Sequence, residues 1–516
     1  MQSVIDVAQT FRQNEIFLTG ANGFVGKIIL GLLLDRYPDF KHLHVLIRPR
    51  PNLNAQERFE NEVLGSPALE QVVAGYPKQA LSSKISVWSG DASLPNAGLS
   101  EAEADALNGR AGLILNCAGL VEFFPPLEDS LRANVDSVER LAAFAKRLGA
   151  KLLHVSTCYV AGATDGLIEE TEPILGFYPQ RKGPSDHTFD HGAELAGCRE
   201  RVRQIRQASK NDGQGGPQAI AARLTELGKQ RAQRWGWVNT YTYTKSLGEQ
   251  VLASQQGLDY AIVRPAIVES ALKFPFPGWV EGGRTAAPLV LMAMGGLKDW
   301  PVRREIPLEV VPVDLVAGAI LVAGALLLNG EQRQVYQLAT ADTNPLGLAW
   351  LVELLDDEAR RASKNGGPRS PWWLDPLGRV RFHSEEGARR RRSKLQRRVE
   401  RALRIAEKLE RLVDRTGLPG KRKFQAARAS LRTLGLQLGF REQTLDQYLP
   451  FILHHRYVFE SQNIREAMNR ISGEDRARLP WNPEQIDWNT YWRQNQIQGI
   501  KRWVEHEAVR QWSFKI

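Results

Sequence analysis

Cysteine is scarce in this chain of 516 residues. The three present, Cys117, Cys158 and Cys198, are too few and too scattered for a disulfide framework or a zinc site, which excludes a small stapled secreted fold and suits a reducing cytoplasm. No metal is expected. Long apolar runs are lacking too: the longest, 315–328, is short of the about 20 residues needed to span a bilayer and so predicts a buried helix. Within residues 1–15 the charges of Asp6, Arg12 and Glu15 leave no sustained apolar stretch and no cleavage pattern, so neither a signal peptide nor an export signal is read. The formal charge of +10 comes without aromatic interleaving or a recognisable binding module, which argues against nucleic acid as a partner.

What is present begins with Thr19-Gly20-Ala21-Asn22-Gly23-Phe24-Val25-Gly26, between the apolar run Ile16-Phe17-Leu18 and the helical pattern of residues 28–34. A strand that turns through glycines into a helix brings backbone N–H groups and the helix N-terminus against a dinucleotide pyrophosphate. The Gly-x-x-Gly-x-x-Gly spacing is similar to that of extended short-chain dehydrogenase/reductases. A second strand, 42–47, runs into Arg48-Pro49-Arg50. Where the strand end faces the adenosine ribose, an arginine accommodates the 2′-phosphate of NADPH, so Arg48, with Arg50 behind it, favours that cofactor. Strand ends at Asp91, beside the adenine, and at Ala118-Gly119, beside the ribose and nicotinamide, complete the expected cofactor edge. Residues 131–135, Asn134 among them, are expected to open a helix.

A fifth strand, 152–155, ends in Ser156-Thr157, which offers a catalytic hydroxyl. Tyr241 and Lys245 share one helical face, so the ammonium is expected beside the phenol, lowering its pKa and making Tyr241 a general acid. Thr157 would donate to the same substrate oxygen, and Lys245 would also hold the nicotinamide ribose. Tyr243 and Tyr159 compete for the proton-donor role, but Tyr243 lacks the four-residue spacing to Lys245.

The order of these segments, together with Asn116-Cys117-Ala118-Gly119, His154-Val155-Ser156-Thr157, Arg264-Pro265 and Phe276-Pro277-Gly278-Trp279, resembles the fatty acyl-CoA reductases. The tail, with Ser472-Gly473-Glu474-Asp475 and Ile486-Asp487-Trp488, resembles that family's C-terminal domain. The resemblance implies NADPH-dependent reduction of a long-chain acyl-CoA through an aldehyde to the primary alcohol, with lipid and wax ester metabolism as its setting. It also adds Pro265 and Ile267 to the cofactor contacts and selects Thr157 over Ser156. Alternatives at this point are a reductase that stops at the aldehyde, a sugar-nucleotide epimerase or dehydratase, and a non-catalytic nucleotide sensor.

The expected architecture is α/β, a Rossmann-like doubly wound parallel sheet over residues 1–360 with a helical insertion at 165–235, followed by a mainly helical domain at 361–516. The insertion reads as padding or as a cap over the substrate channel. Asn365-Gly366-Gly367-Pro368 suggests a linker, and Trp372-Trp373 follows it. The run 315–328 and the sparsely charged 286–296 could line an acyl tunnel or simply pack in the core. Between Arg389 and Arg415 cations far outnumber carboxylates, while Leu395, Val399, Ala402, Ala406, Leu409 and Val413 recur at helical spacing. That basic amphipathic helix would face solvent, ligand phosphates or anionic lipid, so the localisation expected is cytoplasmic with a peripheral place at the inner face of a membrane.

Overall fold

The computed structural model describes residues 4–171, 173–183, 185–211, 216–283, 285–364, 379–416 and 421–505. The Asn365-Gly366-Gly367-Pro368 and Trp372-Trp373 readings, and the side chains of Leu395 and Val413, lie outside the described residues. Seven short, mostly apolar segments pair in parallel: β1 (Glu15–Thr19), β2 (His42–Ile47), β3 (Ile85–Ser89), β4 (Ala111–Asn116), β5 (Lys151–Val155), β6 (Tyr260–Pro265) and β7 (Val335–Leu338). Their order is β3-β2-β1-β4-β5-β6-β7, so the sheet is the doubly wound, Rossmann-like one expected. The winding reverses between β1 and β4, and a crevice opens outside the carboxyl ends of strands at such a point.

Helix α1 (Phe24–Arg36) follows the glycine turn and is buried along most of its length, which explains its apolar residues on every side. Residues 131–135 do not open a helix. The helix starts directly after Pro126 as Leu127–Leu131, passes through a π-turn at Arg132–Asp136 and continues as α2 (Ser137–Leu148). A proline fits the entry to a helix because it has no N–H to satisfy there. Val138, Leu141, Ala142, Ala145 and Leu148 form the buried stripe of α2, and Gly149 ends it in the left-handed region.

The insertion is a helical hairpin, α3 (His191–Asn211) and α4 (Pro217–Trp235), with residues 212–215 of its loop outside the described ones. Leu195, Cys198, Val202, Leu224 and Ala232 join Leu127, Leu131, Tyr243 and Leu247 in one apolar cluster, so the hairpin is packed onto α5 (Thr240–Ala253) and the 127–136 helix. The run 315–328 lies in α6 (Val313–Leu328), buried almost throughout. Gly324 of α6 faces Leu113 of β4 and Leu153 of β5, so this helix covers the sheet as core packing. Among the described residues no helix is long and apolar enough to cross a membrane.

The chain divides into two compact units, neither of them continuous: Met1–Glu281, Glu309–Pro345 and Val458–Gln496 form one, and Gly282–Leu308, Leu346–Tyr457 and Ile497–Ile516 the other. The single cut expected at residue 360 is replaced by interleaved segments. The physical reason lies in two buried carboxylates that hold the returning segment to the first unit: Glu309 accepts from the Phe459 N–H at 2.8 Å, and Glu170 from the Asn463 N–H at 2.7 Å. The second unit is mainly helical, with Ala287–Met294, Leu348–Lys364, Glu385–Thr416 and Lys421–Leu449 as its main elements.

Candidate active site

A cavity of about 630 Å³ lies at the reversal point of the sheet. Thr19, Gly20, Asn22 and Gly23 line it from the glycine turn, Arg48, Arg50 and Asp91 from the ends of β2 and β3, and Ala118 and Gly119 from the end of β4. These nine expected cofactor positions are brought together. Gly20 has a φ of 75°, and a Cβ there would stand 2.7 Å from the Ala118 nitrogen, so any side chain would fill the cradle between the two strand ends. Gly26 serves packing instead, since its Cβ would meet the Gly20 carbonyl oxygen at 2.2 Å.

Other expected contacts lie off the cavity wall. Phe24 packs against Trp279 with ring centroids 5.0 Å apart, and Val25 is half-buried in the first turn of α1. Asn134 is buried and its side chain is committed internally: it accepts from the Leu120 N–H at 3.0 Å and donates to the Leu120 carbonyl at 3.1 Å, which fixes the loop after β4. Ile267 pairs with Val310 in a small separate sheet. Pro265, at the end of β6, accepts a hydrogen bond from Thr157 Oγ1 at 3.4 Å.

Beside the ends of β2 and β3 two arginines project into solvent from paired positions. Arg48 is 3.5 Å from Asp91, and Arg50 is 3.0 Å from Glu62. Burial pushes the Asp91 carboxyl up, but hydrogen bonds from Ser93 and the charge of Arg48 outweigh it and hold the group below its ordinary value. Sequence reasoning missed Arg58 and Glu62. Buried Arg58 bonds Glu62 and the Arg48 carbonyl, so it sets the turn that presents Arg48.

Behind the Gly119 loop stand the three expected catalytic residues. Thr157 stands two residues past the end of β5, while Tyr241 and Lys245 belong to α5. The backbones at Gly248 of α5 and Asn134 are so close that a Cβ on Gly248 would meet the Asn134 carbonyl oxygen at 2.1 Å, and this contact seats α5 against the π-turn Arg132–Asp136. Arg264 of β6 forms a buried two-pronged pair with Glu249 of α5 at 3.0 and 2.5 Å, fastening the helix to the sheet. The Lys245 ammonium donates to the Val155 carbonyl at 2.9 Å and lies 3.0 Å from where a Gly119 Cβ would be.

The expected electrostatics need correction. Burial pushes the Tyr241 phenol up to about 12, with the Thr157 hydroxyl opposing that shift and no lowering from Lys245. The lysine is occupied by Val155. It is Lys245 that moves toward neutrality, lowered to about 8 by burial against the charge of Glu249. Tyr241 is therefore protonated at neutral pH, a donor suited to receiving developing negative charge. Tyr243, one turn position away, faces elsewhere: its hydroxyl bonds Glu194 and lies 3.2 Å from Cys198, both on α3.

Beneath these groups runs a buried polar row that no local motif announces. Thr19, Asn116 and His154 are register partners on β1, β4 and β5. Thr19 Oγ1 donates to Asn116 Oδ1 at 2.7 Å, and Asn116 Nδ2 lies 3.1 Å from His154 Nδ1. Burial first, and the Lys245 charge second, hold His154 well below the usual imidazole range, so it is neutral. The available signal was a polar residue at or near the end of each of three apolar strands.

Comparison with known proteins bears on the same segments. The NAD-binding family described as male sterility protein matches residues 18–320. The chain is 29% identical to the alcohol-forming fatty acyl-CoA reductase of Simmondsia chinensis over 69% of this chain and 72% of that protein. It is 30% identical to probable fatty acyl-CoA reductase 4 of Arabidopsis thaliana over 67% and 70%, respectively, and 25% identical to fatty acyl-CoA reductase 1 of Rattus norvegicus over 98% and 87%. Among solved structures, the reductase domain of a non-ribosomal peptide synthetase from Mycobacterium tuberculosis shares the fold, with a TM-score of 0.52 at 16% identity, covering 96% of this chain and 95% of that one.

Proposed function

The chain belongs to the fatty acyl-CoA reductase family, and from that premise we propose that it uses NADPH to reduce a long-chain acyl-CoA, through a bound aldehyde, to the primary alcohol, releasing coenzyme A. The observation that carries this reading is the hydrogen-bonded pair of Thr157 and Tyr241, together with Lys245 of the same helix against Gly119, the loop that lines a dinucleotide-sized cavity. Thr19, Gly20, Asn22, Gly23, Ala118 and Gly119 would hold the pyrophosphate and ribose, and Arg48 with Arg50 the 2′-phosphate. The nicotinamide, when bound, supplies hydride.

The residues of the chain handle the oxygen. Tyr241 donates to the thioester carbonyl, and Thr157 turns its hydroxyl from the Pro265 carbonyl to donate a second bond, so the charge that arrives with hydride meets two donors. Tyr241 passes its proton to that oxygen, giving a thiohemiacetal. Collapse of the thiohemiacetal returns its hydroxyl proton to the Tyr241 phenolate and breaks the carbon–sulfur bond, coenzyme A leaves as a thiolate that takes a proton from solvent, and the aldehyde stays between the same donors for a second reduction. Lys245, fixed by Val155 and close to Gly119, would keep a positive charge near the cofactor ribose.

Incubation of the purified protein with palmitoyl-CoA and NADPH tests the reading. Hexadecanol with two equivalents of NADPH oxidised per coenzyme A released supports it. Accumulation of hexadecanal limits the reaction to the first step, and absence of NADPH oxidation overturns the reductase assignment.

A further inference from the structure

The helix Glu385–Thr416 gives one face to its neighbour and the other to solvent. Val399, Ala406 and Glu410 are buried, with Val399 near Gly435 and Glu410 paired to Arg428 at 2.9 Å across an antiparallel contact with Lys421–Leu449. On the outer arc Lys394, Arg398, Arg401, Arg404, Lys408 and Arg411 are exposed, and none of them makes an ion pair among the described residues. Arg401, Ile405 and Leu409 fall in one row at four-residue steps, with Arg404 and Lys408 in the adjoining row. Ile405 is 59% exposed and Leu409 40%, and Leu436 of the neighbouring helix is 43% exposed.

In water, Glu400 and Glu407, each four residues before Arg404 and Arg411, offset only part of the charge on this arc. Like charges three and four residues apart repel one another, and the two aliphatic side chains among them face water. Both costs fall when an anionic surface with an apolar interior lies against the arc. We propose that this face docks on an anionic lipid membrane, with the cations against the headgroups and Ile405 and Leu409 at the boundary with the acyl chains. A nucleic acid would engage the cations but would leave the aliphatic pair exposed, and the outer arc has no aromatic ring on which bases could stack. The inference stands on the second unit alone and is independent of the reductase reading.

Co-sedimentation of the full chain with vesicles tests it. Vesicles of phosphatidylcholine with phosphatidylglycerol are compared with phosphatidylcholine alone, at about 0.1 M and about 1 M salt, between which the screening length falls from about 10 to about 3 Å. Binding to the anionic vesicles only, and lost at high salt, supports the proposal. Each cation near such a surface contributes about fivefold in partitioning, so the triple variant R398Q/R401Q/R404Q is expected to bind about 100-fold more weakly. The variant I405S/L409S keeps every charge. It should also weaken vesicle binding, while leaving any association with a polyuridylate probe unchanged. No sedimentation of the wild type, equal binding to neutral vesicles, or an I405S/L409S variant that binds anionic vesicles like wild type each overturns the proposal. Helical circular dichroism and the unfolding midpoint verify that the variants are folded, and the wild-type salt comparison decides the matter where a variant is not.

Discussion

The Lys245 ammonium donates to the Val155 carbonyl at 2.9 Å, which ties α5 to the end of β5 two residues before Thr157. The lysine thus fixes the relative placement of the two elements that carry the hydroxyl donors, while burial lowers its pKa to about 8. Below that value it is charged. We expect kcat/KM for the acyl thioester to fall as pH rises through about 8, with this limb absent from the residual activity of Lys245→Met. A profile flat from neutral pH to pH 9 would remove the charged lysine from the mechanism.

Tyr241 and Tyr243 stand two residues apart on one helix, yet we expect their phenylalanine variants to fail in different ways. With its pKa raised to about 12, Tyr241 keeps its proton throughout the working range, and Tyr241→Phe should lower kcat by about 10²–10⁴ with NADPH binding and Tm unchanged. Fluorescence titration of NADPH separates that loss from a binding defect.

Tyr243→Phe should leave kcat within a few-fold and lower stability instead. Its hydroxyl bonds Glu194, which is itself paired with Arg231 between the two helices of the insertion. Removing the hydroxyl costs about 1–3 kcal/mol, and Glu194→Ala, which leaves the largely buried Arg231 unpaired, about 3–5 kcal/mol. Thermal unfolding of the two variants checks the order. A Tyr243→Phe enzyme with normal Tm and lost turnover would exchange the roles assigned to the two tyrosines.

These contrasts mark the boundary of what the sequence makes legible. The glycine turn and the four-residue Tyr241/Lys245 spacing are local, so the strand-to-helix cradle and the shared helical face could be read directly. The partners that decide chemistry are distant along the chain: Val155 for Lys245, Glu194 for Tyr243, Leu120 for Asn134. Asn134 illustrates the limit, because an asparagine in the right segment can touch a cofactor or brace the loop that does, and only the fold decides. The Thr19, Asn116 and His154 row depends on strand register, and the interleaved units depend on where 458–496 returns, neither of which is encoded in local pattern.

The proposed preference for NADPH rests on Arg48, whose side chain is 68% exposed at the cavity rim and only loosely paired with Asp91. An exposed guanidinium facing a phosphate dianion loses little by desolvation and gains a charge-assisted contact. Arg48→Ala should raise KM for NADPH about tenfold and leave KM for NADH unchanged, a difference of about 1.4 kcal/mol. Steady-state kinetics with both cofactors measures it. Equal effects on the two would assign Arg48 to the turn it shares with Arg58 and not to the 2′-phosphate.

Glu309 links the strand region of the first unit to its returning segment, and it carries a pH dependence of definite sign. Burial pushes its carboxyl up to about 7, against hydrogen bonds from the Phe459, Thr340 and Ala341 N–H groups that lower it. Between about 4.5 and 7 the folded state therefore binds a proton that the unfolded state has released, so this group's contribution to stability falls as pH rises through that window and levels off above it. The full span is on the order of 3 kcal/mol. Glu309→Gln cannot titrate, and the difference in unfolding free energy between wild type and variant should change in that direction from about pH 5 to about pH 8. If the difference stays constant across the range, Glu309 is ionised throughout, and its three N–H donors then outweigh the cost of burying its charge.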